Sequence, residues 1–183
     1  MTLSRLYLVG FLSIFLFSAR AQEKQEASPV TTANQSKLIG YHFGYVNVFC
    51  SVKSGDLRWH DRYDLYSMGF PMGITLRTPG KLLVDFEAVP FIQPFLASDE
   101  PFQVHLLWHP GVLLPLSRGW TLGLRAAFET GVGQFGFTPL VNKAFKISQS
   151  TALFVELVLP ARFGPAKDNG YIQLAGLHVG VGF

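Results

Sequence analysis

From about residue 37 onward the chain alternates. Bulky apolar residues and small or polar ones trade places at every second position, in one segment after another. The last ten residues do so without a fault: Leu177, Val179, Val181 and Phe183 point one way, and Gly176, His178, Gly180 and Gly182 the other. A period of two belongs to a β-strand, whose successive side chains face opposite sides. Eight such segments can be read, at about residues 37–50, 63–78, 81–92, 102–116, 120–133, 137–147, 151–163 and 170–183.

Each has one bulky apolar row. Ile39, Tyr41, Phe43, Tyr45 and Phe49 oppose Gly40, His42 and Gly44 in the first. Leu82, Val84, Phe86 and Ala88 oppose Leu83, Asp85 and Glu87 in the third; Leu122, Leu124, Ala126 and Phe128 oppose Gly123, Arg125 and Glu129 in the fifth. In the seventh, Leu153, Val155, Leu157 and Leu159 oppose Phe154, Glu156 and Arg162. The sixth is the least regular, because Pro139 and Asn142 blur its pattern.

Short links follow the second, fourth and sixth segments, with Pro79-Gly80, Ser117-Arg118-Gly119 and residues 148–150 as tight turns. Longer links at 51–62, 93–101 and 164–169 follow odd segments; the link at 134–136, after the fifth, is shorter than this scheme expects. Charged residues fall on the non-bulky face, the reverse of a soluble β-sandwich or lipocalin-like barrel. These features predict an all-β, eight-stranded antiparallel up-and-down transmembrane β-barrel, with short turns and both chain ends on the periplasmic side. Pro71, Pro90, Pro110 and Pro115 lie inside or at the ends of strands. A closed barrel has no edge to hide a proline, so each is expected to mark a bulge or kink.

The amino terminus fits that destination. Arg5 precedes an apolar run at 6–17 of about 12 residues, too short for a spanning helix, which needs ~20. Ala19-Arg20-Ala21 follows, an A-x-A site, so residues 1–21 read as a secretory signal peptide cut between Ala21 and Gln22. Residues 22–36 are polar and read as a flexible periplasmic leader, leaving 37–183 as one barrel domain. The lack of a cysteine after the cleavage site disfavours a lipoprotein.

Composition narrows the rest. Arg5 and Arg20 leave with the signal, so the formal charge of +3 becomes about +1 for the mature chain. There is no Lys/Arg stripe for nucleic acid. Cys50, the single cysteine, excludes an internal disulfide and reads as a small buried or lipid-facing residue rather than a reactive thiol. Seventeen phenylalanines and a 49% hydrophobic content come without a transmembrane-helix stretch after the signal.

Ile39-Gly-Tyr-His-Phe-Gly44, Gly69-Phe-Pro-Met-Gly-Ile74 and Gln134-Phe-Gly-Phe-Thr-Pro139 resemble the small outer-membrane β-barrel proteins of Gram-negative bacteria, most of all uncharacterised barrels of the Bacteroidetes type. The resemblance covers most of the mature chain. It implies an outer-membrane location among lipid and lipopolysaccharide. It also implies that Leu177, Val179, Val181 and Phe183 form the assembly signal read by the barrel-assembly machinery. It names no extracellular partner.

Candidate chemistry is sparse. Asp85, Glu87, Arg125, Glu129 and Glu156 face inward and should form a lumen ionic network, with Arg77 or Arg162 as further cations. A proton or solute path is the competing reading. His105 and His109 share a strand face at about 13 Å spacing, too far for one zinc. Gly131-Val-Gly-Gln-Phe-Gly136 matches a dinucleotide fingerprint but opens no helix, so it reads as strand end and loop. No catalytic, cofactor or metal residue is assigned. The first outer loop holds Asp56, Arg58, Trp59, His60, Asp61, Arg62, Tyr63 and Asp64. With Ser67 these are the residue types of lipid A-modifying barrel enzymes, without their motifs. The leading expectation is a structural or surface-interaction barrel with a filled lumen. A narrow channel and a lipid A-modifying enzyme are the alternatives.

Overall fold

The structure, a computed structural model, describes residues 38–60, 68–93, 103–131, 133–164 and 170–183. The expected signal peptide, its Ala21–Gln22 cleavage point, the leader, and Asp61, Asp64 and Ser67 lie outside them. The described chain forms β1 (Leu38–Lys53), β2 (Asp56–Trp59), β3 (Met68–Gly69), β4 (Met72–Arg77), β5 (Leu83–Gln93), β6 (Gln103–Pro115), β7 (Trp120–Glu129), β8 (Gln134–Lys146), β9 (Ala152–Val158), β10 (Ala161–Phe163) and β11 (Ile172–Gly182).

β3 and β4 run along β5 in one register, Met68 opposite Ile92 and Met72 opposite Ala88. β9 and β10 likewise run along β8, Val158 opposite Leu140 and Ala161 opposite Phe137. Each pair is therefore one wall strand. β1 meets β11 from His42–Gly182 to Lys53–Ile172, and Tyr41 and Phe183 exchange both backbone hydrogen bonds, at 3.1 and 2.9 Å. The result is a closed eight-stranded antiparallel β-barrel. The short turns at 78–82, 116–119 and 147–151 share one rim with Leu38 and Phe183.

The alternation sets the faces. Outward rows such as Tyr41 and Phe43, Trp108 and Val112, Leu122 and Leu124, and Leu177 and Val179 are exposed, whereas the residues between them are buried or half-buried. A small apolar cluster of Val46, Val89, Leu107, Ala127, Leu140 and Val158 shares the lumen with polar side chains.

Three features differ from the sequence reading. The first strand does not end at 50. It runs to Lys53, turns at Ser54-Gly55 and returns as β2, so the start of the expected loop 51–62 is a hairpin. Both turn residues adopt positive φ, 53° and 90°. The sixth strand begins at Gln134, not 137. Glu129, Phe128 and Ala127 pair with Gln134, Phe135 and Gly136, which makes the expected link 134–136 a strand. The turn lies just before it, where Gly131 and Gly133 take φ of 91° and 66°. The fingerprint-like glycines are thus hairpin glycines.

The third difference concerns the prolines. Pairing keeps one register on both sides of Pro71, and it runs through Pro90 and Pro110 without a shift. The bulges lie instead on β1, at Leu38/Gly40 and Val48/Cys50. Proline removes a donor and keeps its acceptor. The carbonyls of Pro71, Pro90, Pro139 and Pro160 accept from Gly44, Phe70, Leu159 and Leu174 at 2.7–3.1 Å, so half of each pairing survives. The cost is local: the strands are interrupted at Phe70-Pro71 and Leu159-Pro160.

Inward glycines make room for large polar neighbours. A Cβ on Gly111 would meet Arg125 Cγ at 2.6 Å and the Leu124 carbonyl at 2.7 Å; one on Gly44 would meet His178 Nε2 at 2.4 Å. Gly111→Val should therefore destabilise the barrel by roughly 1–3 kcal/mol. A denaturant titration of the refolded protein checks this, and an unchanged midpoint would refute the packing argument.

Candidate functional site: the lumen network

Arg125 lies at the centre of the lumen. β7 carries it inward, flanked by the outward Leu124 and Ala126, and it is 3% exposed. Its Nε donates to Asp85 Oδ2 at 2.8 Å and its Nη1 to Glu156 Oε1 at 2.8 Å; Nη2 lies 3.4 Å from Glu87 Oε2. Asp85 and Glu87 come from β5 and Glu156 from β9, so one guanidinium ties together three wall strands that are not neighbours. A planar five-donor fork suits this task, which a point-charge ammonium could not perform.

The carboxylates are further satisfied. Thr75 Oγ1 donates to Asp85 Oδ1 at 2.9 Å, and Asn142 Nδ2 to Glu156 Oε2 at 3.2 Å. His42 Nε2 is 3.2 Å from Glu87 Oε2, and His178 Nδ1 is 3.2 Å from Glu156 Oε1. His109 Nδ1 is 3.2 Å from Glu87 Oε1, while its Nε2 lies 3.3 Å from Arg162 Nη2 and 3.0 Å from Thr138 Oγ1. A guanidinium only donates. His109 Nε2 must therefore accept, which leaves its proton on Nδ1 for Glu87. Arg162 Nη1 also donates to Thr138 Oγ1 at 3.1 Å.

The five inward charges expected from sequence divide unequally. Asp85, Glu87, Arg125 and Glu156 converge. Glu129 lies apart, with its Oε1 2.5 Å from His105 Nε2 and its Oε2 4.0 Å from Arg162 Nε. Of the two further cations, Arg162 enters the lumen and Arg77 does not: it is exposed at the end of β4, one step before the turn. Sequence reasoning placed His42, His105, His109 and His178 on inward faces but did not join them to the carboxylates. Their spacing within a strand carries no sign of cross-lumen partners. His105 and His109 serve different carboxylates, Glu129 and Glu87.

His42, Asp85 and Glu87 each offer an atom within 4.8 Å of the others, which is cation-site spacing. Arg125 already supplies the cation there. His178 Nε2 has no hydrogen-bond partner; its ring stands edge-on to Phe154 at 4.8 Å. With Glu87, His109, Arg125, Thr138 and Arg162 it lines a cavity of about 20 Å³, roughly the room of one water.

At the far rim, Asp56 and Arg58 are exposed on β2, and Trp59 stacks on Phe49 at 6.2 Å between ring centres. The His60 amide donates to the Phe49 carbonyl at 2.9 Å. Asp61 and Ser67, the other residue types of the lipid A-modifying alternative, are outside the described residues. Cys50 is half-buried beside the β1 bulge, opposite Ala175 and Trp59. The sequence matches no known protein-family model and no curated protein.

Arg125→Ala would leave three buried carboxylates without their shared cation. Removing one partner of a buried ionic cluster costs about 3–5 kcal/mol. The denaturation midpoint of the refolded variant should fall far below those of wild type and of Lys53→Ala at the rim. A midpoint equal to that of Lys53→Ala would refute the central role of Arg125.

Proposed function

We propose that the chain is an outer-membrane β-barrel protein with a structural or surface-interaction role and a lumen filled by its own side chains. One observation carries the reading: the barrel is apolar outside and ionic inside. Its wall exposes Phe43, Phe86, Trp108, Leu124, Phe135, Leu153 and many similar residues, while Asp85, Glu87, Arg125, Glu156 and His178 are buried. In water that wall would be an apolar surface far larger than the few hundred Å² typical of soluble monomers. In lipid it is a matched solvent, and an inward charge avoids the roughly 2–4 kcal/mol that a mid-bilayer Lys or Arg costs.

Size and rim chemistry support the same reading. The outward row of β6 from Val104 to Leu114 covers about 33 Å along the strand, or about 25 Å when tilted by ~40°. Aromatic clusters lie toward both rims: Phe49–Trp59 and Phe135–Phe163–Tyr171 at one end, Trp120 and Phe145 beside Lys143 at the other. Such girdles suit the headgroup level. In this reading Leu177, Val179, Val181 and Phe183 form the lipid-facing edge that the assembly machinery recognises during insertion. The Arg125 cluster fills the cross-section that a solute would need, which favours the structural role over a channel.

The refolded protein should require detergent and migrate differently on a denaturing gel before and after boiling. In planar bilayers it should show no discrete conductance steps. Solubility without detergent together with absence of the gel shift would overturn the membrane reading. Steps that disappear in a lumen variant such as Glu87→Gln would replace the structural role with a channel.

A further inference from the structure

We propose that the rim carrying the three short turns is a binding surface for the headgroup phosphates of anionic glycerophospholipids, through Arg77, Lys81, Arg118, Lys143 and Lys146. The proposal rests on the membrane reading above and adds a lipid class and a leaflet, the one on the side of the short turns.

The charge map of the described residues carries it. Their cations fall in three places. Arg125 and Arg162 are in the lumen, Lys53 and Arg58 are at the far rim, and the other five surround the short turns. The acidic side chains are Asp56 at the far rim and Asp85, Glu87, Glu129 and Glu156 in the lumen. The short-turn rim thus has five described cations and no described acidic side chain. Two of them flank or occupy the 78–82 turn, with Arg77 opposite Leu83. Arg118 is in the 116–119 turn. Lys143 and Lys146 lie opposite Trp120 and Ala152, beside the 147–151 turn. Every short turn therefore contributes, and the charge is spread around the rim rather than gathered into a pocket for one small anion.

Their depth fits phosphate. The exposed Trp120, Phe145 and Phe183 mark the lower edge of the apolar wall. The Lys143 ammonium stands 5.2 Å over the Trp120 ring and 5.6 Å over that of Phe145, and it also donates to the Arg118 carbonyl. It is held at the height of the interfacial aromatics, where long basic side chains lay an apolar stem on the wall and extend their charge to the headgroups. A surface of anionic lipid attracts each nearby Lys or Arg, and the attraction falls off within a Debye length. The lumen carboxylates lie behind the wall and already have partners.

The test is boundary-lipid selectivity in vesicles of phosphatidylcholine containing the full chain and a trace of spin-labelled lipid. Electron spin resonance compares labelled phosphatidylglycerol with labelled phosphatidylcholine at the protein surface. Wild type should prefer phosphatidylglycerol by about fivefold at low salt, less at high salt. Arg118→Gln/Lys143→Gln/Lys146→Gln should lose most of that preference, and Arg77→Gln/Lys81→Gln part of it. Lys53→Gln/Arg58→Gln at the far rim should keep it. The boiling-dependent gel shift establishes that each variant is folded. An inserted wild type with no preference, or a preference unchanged in both rim variants, overturns the proposal. A protein that immobilises neither label has failed as a membrane protein, which overturns the preceding reading and this one with it.

Discussion

One guanidinium organises this barrel. Arg125 reaches Asp85, Glu87 and Glu156 from a strand adjacent to none of theirs, so its hydrogen bonds cross the lumen and do not follow the wall. Backbone pairing holds each strand only to its two neighbours. The ionic cluster adds the transverse ties. Through His42, Thr75, His109, Thr138, Asn142, Arg162 and His178, each of the eight wall strands contributes a polar side chain to the same connected set. An eight-stranded barrel has an interior just wide enough for side chains, and that width is what lets one arginine span it. The inward glycines follow from the same constraint, since Gly111 and Gly44 yield the volume that Arg125 and His178 occupy.

Buried ion pairs contribute little net stability compared with an apolar core of equal volume. Their larger effect here is on register. A strand that slips by one residue exchanges its faces. On β5 that would turn Asp85 and Glu87 outward and bring Phe86 into a lumen with no room for it. On β7 it would expose Arg125 to the outer solvent and strand three carboxylates inside. The network thus penalises misregistered barrels severely while adding modestly to the correct one. It also explains how the wall tolerates its prolines. Pairing that loses donors at Pro71, Pro90 and Pro110 keeps its register, and the lumen contacts penalise the slip that a lost donor would otherwise ease.

The faces were legible in the sequence because they depend on a period of two and on nothing distant. Each outward row read from the alternation is the outward row of the barrel, from Tyr41 to Phe183. Boundaries were less legible. Gln134-Phe-Gly looked like a link because its glycines matched a loop pattern, yet Gly136 lies in β8, where its missing Cβ admits the Ala161 carbonyl. The bulges expected at the prolines fall elsewhere for a related reason: the rule that proline breaks a ladder counts the lost donor and ignores the carbonyl that still accepts. The ionic cluster was half legible. Sequence gives the face of Glu129 and of Asp85 alike, but only the stagger of β5, β7 and β9 brings Asp85 to Arg125 and leaves Glu129 with His105. The roles of the histidines are cross-lumen contacts, which no local pattern encodes.

The distribution of charge connects these observations. The formal charge of +3 for the chain says nothing of where the described charges fall. Among the described residues, carboxylates concentrate in the lumen, where arginine and histidine match them, and unmatched cations collect at one rim beneath the aromatics. The wall between carries almost none. In the proposed membrane setting, sorting of this kind follows from burying charge only where partners exist and exposing it only where a polar phase begins. It also assigns the surfaces different tasks. In the proposed structural role a lumen filled by its own ion pairs has little left to offer a ligand, which leaves the two rims as the faces open to specific contacts. Among the described residues they differ in kind: the charged side chains around the tight turns are all basic, whereas the β2 hairpin carries Lys53, Asp56 and Arg58. Lipid headgroups present a repeating anionic layer, which a uniform basic ring matches.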